Sequence, residues 1–501
     1  MNKKKPNIVF IITDQQRYDT INALGFPFMQ TPALDRLVNE GVSFDRCYVN
    51  APSCGPSRAS LFTGFSPHVN GALRNQENWP RTWVADLADA GYRCVNLGKM
   101  HSWPPQDMHG FHERYPVENK QRHYAEKKWT GNPFTFKDEW DKQLAARGHR
   151  RLEKGDFEGT PGVEEKLGAY EWWYEDDEHP DVFVGDMAVR WIDEAPDEAE
   201  EPWFLEVGFP GPHPPYDPIE RYTEHYMQAD LPIQPVTQEE MDGQPKALQG
   251  LRENFERIMA DSIHFVPDAP MEWRHRQRAY YLANITMIDE KVGEIMEALE
   301  RRGRLDDTVI IFTSDHGDLM GDHGLAEKWV MYENSVRVPL VFWAPDRFAQ
   351  NIRQDGLCQW FDIGPTILEL AGATVSEHIE AQSLLSGLTG DGFSGRQYVF
   401  SEHMDDPVLN TVECELMIRD KRWKLVEYIG PNEGQLFDLE NDPDELNDLW
   451  SDEQHAQKRE ELHRKLHDWY IAGSNGIKHA RKVGGSPELR NMSFSARNLQ
   501  P

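Results

Sequence analysis

The stretch Cys54-Gly55-Pro56-Ser57-Arg58 continues through Ala59, Ser60, Leu61, Phe62 and Thr63 to Gly64. Pro56 suits a first helical position, where its missing N–H would be unpaired anyway, and Gly64 is a stop signal. The spacing therefore predicts a short helix opening at Pro56, with Cys54 at the positive end of its dipole, where a developing anion is favoured. Arg58, four residues on, can point a fixed cation at whatever Cys54 holds. A cysteine is by default a small buried thiol, so its partners elsewhere in the chain must decide whether it reacts.

Two distant runs supply such partners. Asn7–Thr13 and Asp307–Thr313 are apolar and largely β-branched, the pattern of strands covered on both faces. The first ends in Asp14-Gln15 and the second in Asp315-His316. In open α/β sheets, ligand groups gather just beyond the carboxyl ends of strands. Asp14 alone reads as a helix cap. Two such strands, each ending in a metal-capable pair, argue instead for one cation site. Asp14, Gln15, Asp315 and His316 form a mostly oxygen-based donor set, without the His and Cys density of structural zinc.

Three further places could serve an anionic ester. Tyr92–Leu97 reads as a buried strand running into Gly98-Lys99-Met100-His101, and on an extended segment Lys99 and His101 would face the same way. Trp203–Phe209 reads as another strand and delivers His213 between Pro212 and Pro214, which hold it in a stiff, extended loop. Lys328 follows in His323-Gly324-Leu325-Ala326-Glu327-Lys328. Each of these alone reads as an ordinary surface or structural residue.

Taken in order from Asn7 to about Leu449, these motifs resemble the formylglycine-dependent sulfatases of the alkaline phosphatase superfamily. The resemblance implies that a formylglycine-generating enzyme reads Cys-x-Pro-x-Arg and converts Cys54 to an aldehyde. It implies one divalent cation on Asp14, Gln15, Asp315, His316 and an oxygen of residue 54, Ca²⁺ first, with Mg²⁺ or Mn²⁺ as alternatives. It also implies that Lys328 contacts the sulfate and the leaving oxygen, with Lys99 and His101 neutralising the other sulfate oxygens. His213 and Lys328 both remain candidates for the proton donor. The hydrated aldehyde carries two hydroxyls on one carbon: one attacks sulfur, and loss of the other's proton re-forms the aldehyde and expels sulfate.

Phosphonate monoester and phosphodiester hydrolases are similar in motif set but typically lack the Lys-x-His pair, so Lys99 and His101 favour sulfate esters. Choline sulfatases are also similar, through Gly98-Lys99-Met100-His101 and His109-Gly110-Phe111. A non-catalytic sulfated-glycan-binding protein is the reading from another class, and the full set of catalytic residue types argues against it. The expected substrate is a sulfated small molecule or carbohydrate.

The remaining sequence bounds the frame that must position these groups. The chain has 501 residues, with 85 Asp plus Glu against 53 Lys plus Arg and a net charge of −32. Such a balance argues against non-specific nucleic-acid binding and requires a local cation cluster to draw in an anion. Five cysteines without close pairing do not form a disulfide framework. The opening apolar run is too short for a secretory leader and no stretch approaches a membrane span, so a cytoplasmic protein without membrane partners is expected.

The strand–helix alternation predicts an α/β domain over 1–386, built on a central, mostly parallel sheet flanked by helices. An irregular, substrate-facing insertion is expected over about 103–178. A Gly-rich linker at 387–395 would lead to a smaller α+β domain over 387–501, with an antiparallel sheet and a helix from about Glu453 to Ile471, stopping at Gly473. The tail from Ser474 is expected to wrap a surface or a neighbouring subunit of a homo-oligomer.

Overall fold

The computed structural model describes residues 5–121, 136–195, 201–390, 392–409 and 411–483. Its centre is an eight-stranded, mostly parallel sheet. Four adjacent parallel strands carry the argument: β1 (Asn7–Asp14), β2 (Arg93–Gly98), β3 (Trp203–Pro212) and β4 (Thr308–Ser314). They lie in the order β4-β1-β3-β2, with Ile11 of β1 beside Phe312 on one side and Val207 on the other. Strand Leu340–Trp343 runs antiparallel against β4, and strand Glu113–Pro116 extends the far side beyond β2.

The apolar runs are continuous because both faces of the sheet are covered. Ile8, Phe10 and Ile12 enter one core, whereas Val9 and Ile11 enter the other. Helices α2 (Pro180–Glu194) and α3 (Met271–Arg301) cover the second face with Val184, Ala188, Ile192, Ile288, Val292 and Ile295. Helix α1 (Cys54–Thr63) lies on the first face, where Leu61 and Phe62 join Trp83 and Phe204. Where β2 meets β3 the two backbones nearly touch: a Cβ on Gly98 would meet the Gly208 carbonyl oxygen at 2.1 Å. That approach lets the Lys99 N–H donate to Gly208 at 2.7 Å and fixes where Lys99 leaves the sheet.

The second region is a four-stranded antiparallel sheet (Val399–Met404, Cys414–Arg419, Trp423–Ile429, Glu433–Asp438) packed by helix α4 (Ala456–Val483). Leu462 and Leu466 of α4 bury against Leu416, Ile418, Leu425 and Leu436.

Several expectations are corrected. The stretch Val42–Tyr48, apolar enough to read as one strand, is two short ones, Val42–Phe44 in the large sheet and Cys47–Tyr48 in a separate three-stranded sheet. The start of the expected linker is helical, over Leu385–Leu388. The insertion holds short helices over Glu139–Ala146, Lys154–Glu158 and Val163–Lys166, while 122–135 lie outside the described residues. Helix α4 does not stop at Gly473 but runs on to Val483. Gly473 is there for proximity instead: a Cβ on it would meet His68 Nε2 at 2.0 Å. The part of the expected tail beyond 483 lies outside the described residues.

Candidate active site

All four central strands deliver a candidate group at their carboxyl ends: Asp14 from β1, Lys99 just after β2, His213 just after β3, and Asp315 with His316 after β4. Helix α1 points its N-terminus at the same place, but it begins two residues earlier than the proline rule predicts. Ser53 is the extended residue before it, and the Ser57 N–H closes the first turn on the Ser53 carbonyl at 2.9 Å. Cys54 is thus itself the first helical residue. Its Sγ lies 3.0 Å from His316 Nε2 and 3.5 Å from Asp14 Oδ1. Gly55 is required beside it: its N–H donates to Asn75 Oδ1 at 2.9 Å, and a Cβ there would meet that oxygen at 2.5 Å.

Asp14, Cys54, Asp315 and His316 are buried, and one ligand atom from each lies within 4.8 Å of all the others. Two carboxylates, an imidazole and the side chain at 54 form a donor set that fits a divalent cation. Gln15 takes a left-handed backbone, φ 70°, and donates its N–H to Asp315 Oδ1 at 3.0 Å. Its amide oxygen accepts from Lys328 Nζ at 2.6 Å, and its amide nitrogen donates to Asp318 at 2.8 Å.

The cations divide into holders and facers. Arg58 donates through Nε to Asp315 Oδ2 at 2.7 Å and through Nη1 to the Lys99 carbonyl at 2.7 Å. It therefore does more than aim charge at Cys54: it locks a metal-capable carboxylate to the chain leaving β2. Its Nη2 is buried with no hydrogen-bond partner among the described residues. Lys99 Nζ pairs with Asp14 Oδ2 and donates to Asn119 Oδ1 at 2.8 Å. Lys328 Nζ stands 3.7 Å from Glu327 and 4.0 Å from Asp261. His213 anchors its N–H on the Asp14 carbonyl at 3.0 Å, with Nδ1 2.7 Å from the Pro214 carbonyl and Nε2 3.6 Å from Asp261.

His101 departs from expectation. The extended segment ends at Gly98, and His101 has φ 58°, so strand alternation does not put its side chain on the same face as that of Lys99. It is half-buried, and its N–H donates to Glu118 at 2.9 Å.

Electrostatics follow from this crowding. Burial alone would raise the Asp14 carboxyl, but Lys99, His213, Lys328 and His316 together hold it well below the usual range. Burial pushes the Cys54 thiol up to about 12, reinforced by the Asp14 charge. Such a thiol is un-ionised at neutral pH and a poor nucleophile as it stands. Burial and the neighbouring Lys328 keep His213 neutral, well below its ordinary value. Burial opposes the charge on Lys328, yet Cys54, Glu327, Asp261 and Asp14 together raise it.

Asn119, Asp261 and Glu327 also belong to this cluster and escaped the sequence reading. Glu327 sat in plain view beside Lys328. Asn119 and Asp261 carry no local signal, because only the folded insertion and the loop before α3 bring them near.

Similarity to known proteins agrees with this geometry. The family profile described as Sulfatase matches residues 6–373, and the one described as N-sulphoglucosamine sulphohydrolase, C-terminal, matches 321–471. An arylsulfatase of Clostridium perfringens is 29% identical over 469 residues, covering 92% of this chain and 94% of that protein. A choline-sulfatase of Rhizobium meliloti is 32% identical over 468 residues, covering 90% and 83%. Among solved structures, the phosphonate monoester hydrolase of Agrobacterium radiobacter superposes with a TM-score of 0.75 at 25% identity, covering 93% of this chain and 96% of that one.

Proposed function

The chain belongs to the sulfatase family, and from that premise we propose that it hydrolyses a sulfate monoester at the cluster around Cys54, after a formylglycine-generating enzyme has converted Cys54 to formylglycine. The observation that carries the proposal is the convergence of Asp14, Cys54, Asp315 and His316, with ligand atoms within 4.8 Å, at the N-terminus of α1.

A divalent cation on Asp14, Gln15, Asp315 and His316, Ca²⁺ by family likeness, would neutralise charge on the sulfate oxygens. Formylglycine in its hydrated form would supply two hydroxyls on one carbon, one for attack and one whose proton loss lets sulfate depart.

The chain's own residues do the rest. Arg58 holds Asp315 in place, and its unpartnered Nη2 leaves one donor for an anion. Lys99 beside Asp14 and Lys328 beside Gln15 bring positive charge to where an ester oxygen gains negative character. His213 spends its Nδ1–H on the Pro214 carbonyl, so in the neutral ring Nε2 is an acceptor. Lys328 already carries a proton, and we assign it the donation to the leaving oxygen. The His101 role stays as the family likeness implies, a contact to the sulfate.

The test is a turnover panel over an aryl sulfate, choline sulfate, a carbohydrate sulfate and a phosphonate monoester. The proposal expects the highest kcat/KM on one of the sulfates. A preference for the phosphonate ester would overturn it.

A further inference from the structure

Away from Cys54, one other group of side chains among the described residues brings metal-capable atoms together. Glu427 lies on the strand Trp423–Ile429, and His463 and His467 sit one turn apart on α4. The i, i+4 spacing puts both imidazoles on the same flank of the helix. Leu462 and Leu466, one position earlier in each turn, seat that helix on the sheet. The docking therefore carries both rings to the same carboxylate. His463 Nε2 lies 3.1 Å from Glu427 Oε1, and His467 Nε2 lies 3.1 Å from Glu427 Oε2.

We propose that Glu427, His463 and His467 form a second cation site, for Zn²⁺ or a similar first-row transition cation, which fastens α4 to the small sheet. Nitrogen and oxygen ligands bound at about 2.0–2.2 Å in tetrahedral or octahedral geometry are about 2.8–3.6 Å from one another. Each imidazole nitrogen stands at such a separation from one oxygen of Glu427, and one ligand atom from each of the three residues lies within 4.8 Å of the others. Two imidazoles beside one carboxylate select a borderline cation over Ca²⁺ or Mg²⁺, the reverse of the oxygen-rich set at Cys54. The side chains are 14%, 33% and 46% exposed, so a cation enters from solvent and water completes its shell. Without a cation each Nε2 donates its hydrogen to Glu427; on binding, each ring changes tautomer, its hydrogen passing by exchange with solvent from Nε2 to Nδ1, and the freed Nε2 lone pairs bind the ion.

The test uses the full chain loaded with Ca²⁺ and kept in excess Ca²⁺, titrated with zinc chloride by calorimetry. One zinc per chain is expected in the wild type and in Asp315→Asn, which separates this site from the Cys54 cluster. Glu427→Gln should weaken zinc binding by about tenfold or more, and the double variant His463→Ala/His467→Ala should lose it. Zinc should raise the melting temperature of the wild type but not of the double variant. Uptake of one zinc with unchanged affinity by the double variant, or no uptake by the wild type, would overturn the proposal and show the trio to be a hydrogen-bonded clamp only.

Discussion

The two clusters of His and carboxylate side chains differ most in their relation to water. At Cys54, the side chains of Asp14, Asp315 and His316 are fully buried, and the ends of the adjacent parallel strands β1 and β4 hold them. At Glu427 the same kinds of atom lie half-open on a helix flank. In the first, opposite charges must be supplied by the chain, and they are: Lys99 on Asp14, Arg58 on Asp315, Lys328 beside Gln15. In the second, solvent screens the charges, and nothing beyond the trio is required. Burial therefore marks where the chain pays for preorganised charge, and that is where charge developing in a reaction is stabilised most.

Breaking the buried cluster should have the largest effect. Cys54→Ser is nearly isosteric, so the melting temperature should hardly move while sulfate-ester turnover falls by about three orders of magnitude or more, read by steady-state kinetics. Next comes Lys99→Ala. Removing one buried charge-assisted contact costs about 2–4 kcal/mol, or about 30- to 1,000-fold in kcat/KM, and kcat should fall with it. Any phosphonate side activity should suffer less.

Changes outside the cluster should separate stability from turnover. Gly473→Ala forces a Cβ towards His68, whose Nδ1 bonds Glu402 at 2.8 Å and whose ring stacks on Tyr470. Denaturant unfolding should show a loss of about 1–3 kcal/mol with kcat/KM unchanged in the folded protein. The smallest effect concerns Glu206, in the middle of β3, whose carboxyl burial pushes up to about 8. An unfolded glutamate titrates near about 4.3, so between the two values the folded state holds a proton that the unfolded state has lost. Stability from this group is full below about pH 4 and falls as pH rises to about 8. Glu206→Gln should remove that slope and gain on the wild type, on the order of 1–2 kcal/mol, as pH rises from 5 to 8.

Legibility followed locality. The two strand-plus-ligand motifs, the Cys54 loop and His213 were readable because each is a short word whose backbone consequence is local: an apolar run, then a polar stop. The helix start was misplaced because Pro56 tolerates the third helical position as well as the first, and only the Ser53 carbonyl, closed by Ser57, decides between them. Gly473 reads as a stop in sequence, whereas in the folded helix it leaves room for His68. The expectation that His101 shares a face with Lys99 fails because it carries strand alternation three residues past a strand that ends at Gly98, whose φ is 91°. Asn119 and Asp261 were invisible because tertiary contact alone defines their role. The pairing of Arg58 with the Lys99 carbonyl and Asp315, which ties three motifs together, was likewise out of reach.

The most direct test of the central claim is the mass of the tryptic peptide containing residue 54, taken from a preparation whose sulfate-ester turnover has been measured. Burial pushes the Cys54 thiol up to about 12, which disfavours the thiolate and fits the proposed conversion at this position. The peptide should be lighter by about 18 Da than the cysteine form, in proportion to the specific activity of each preparation. Full activity with an unmodified thiol at position 54 would contradict the account.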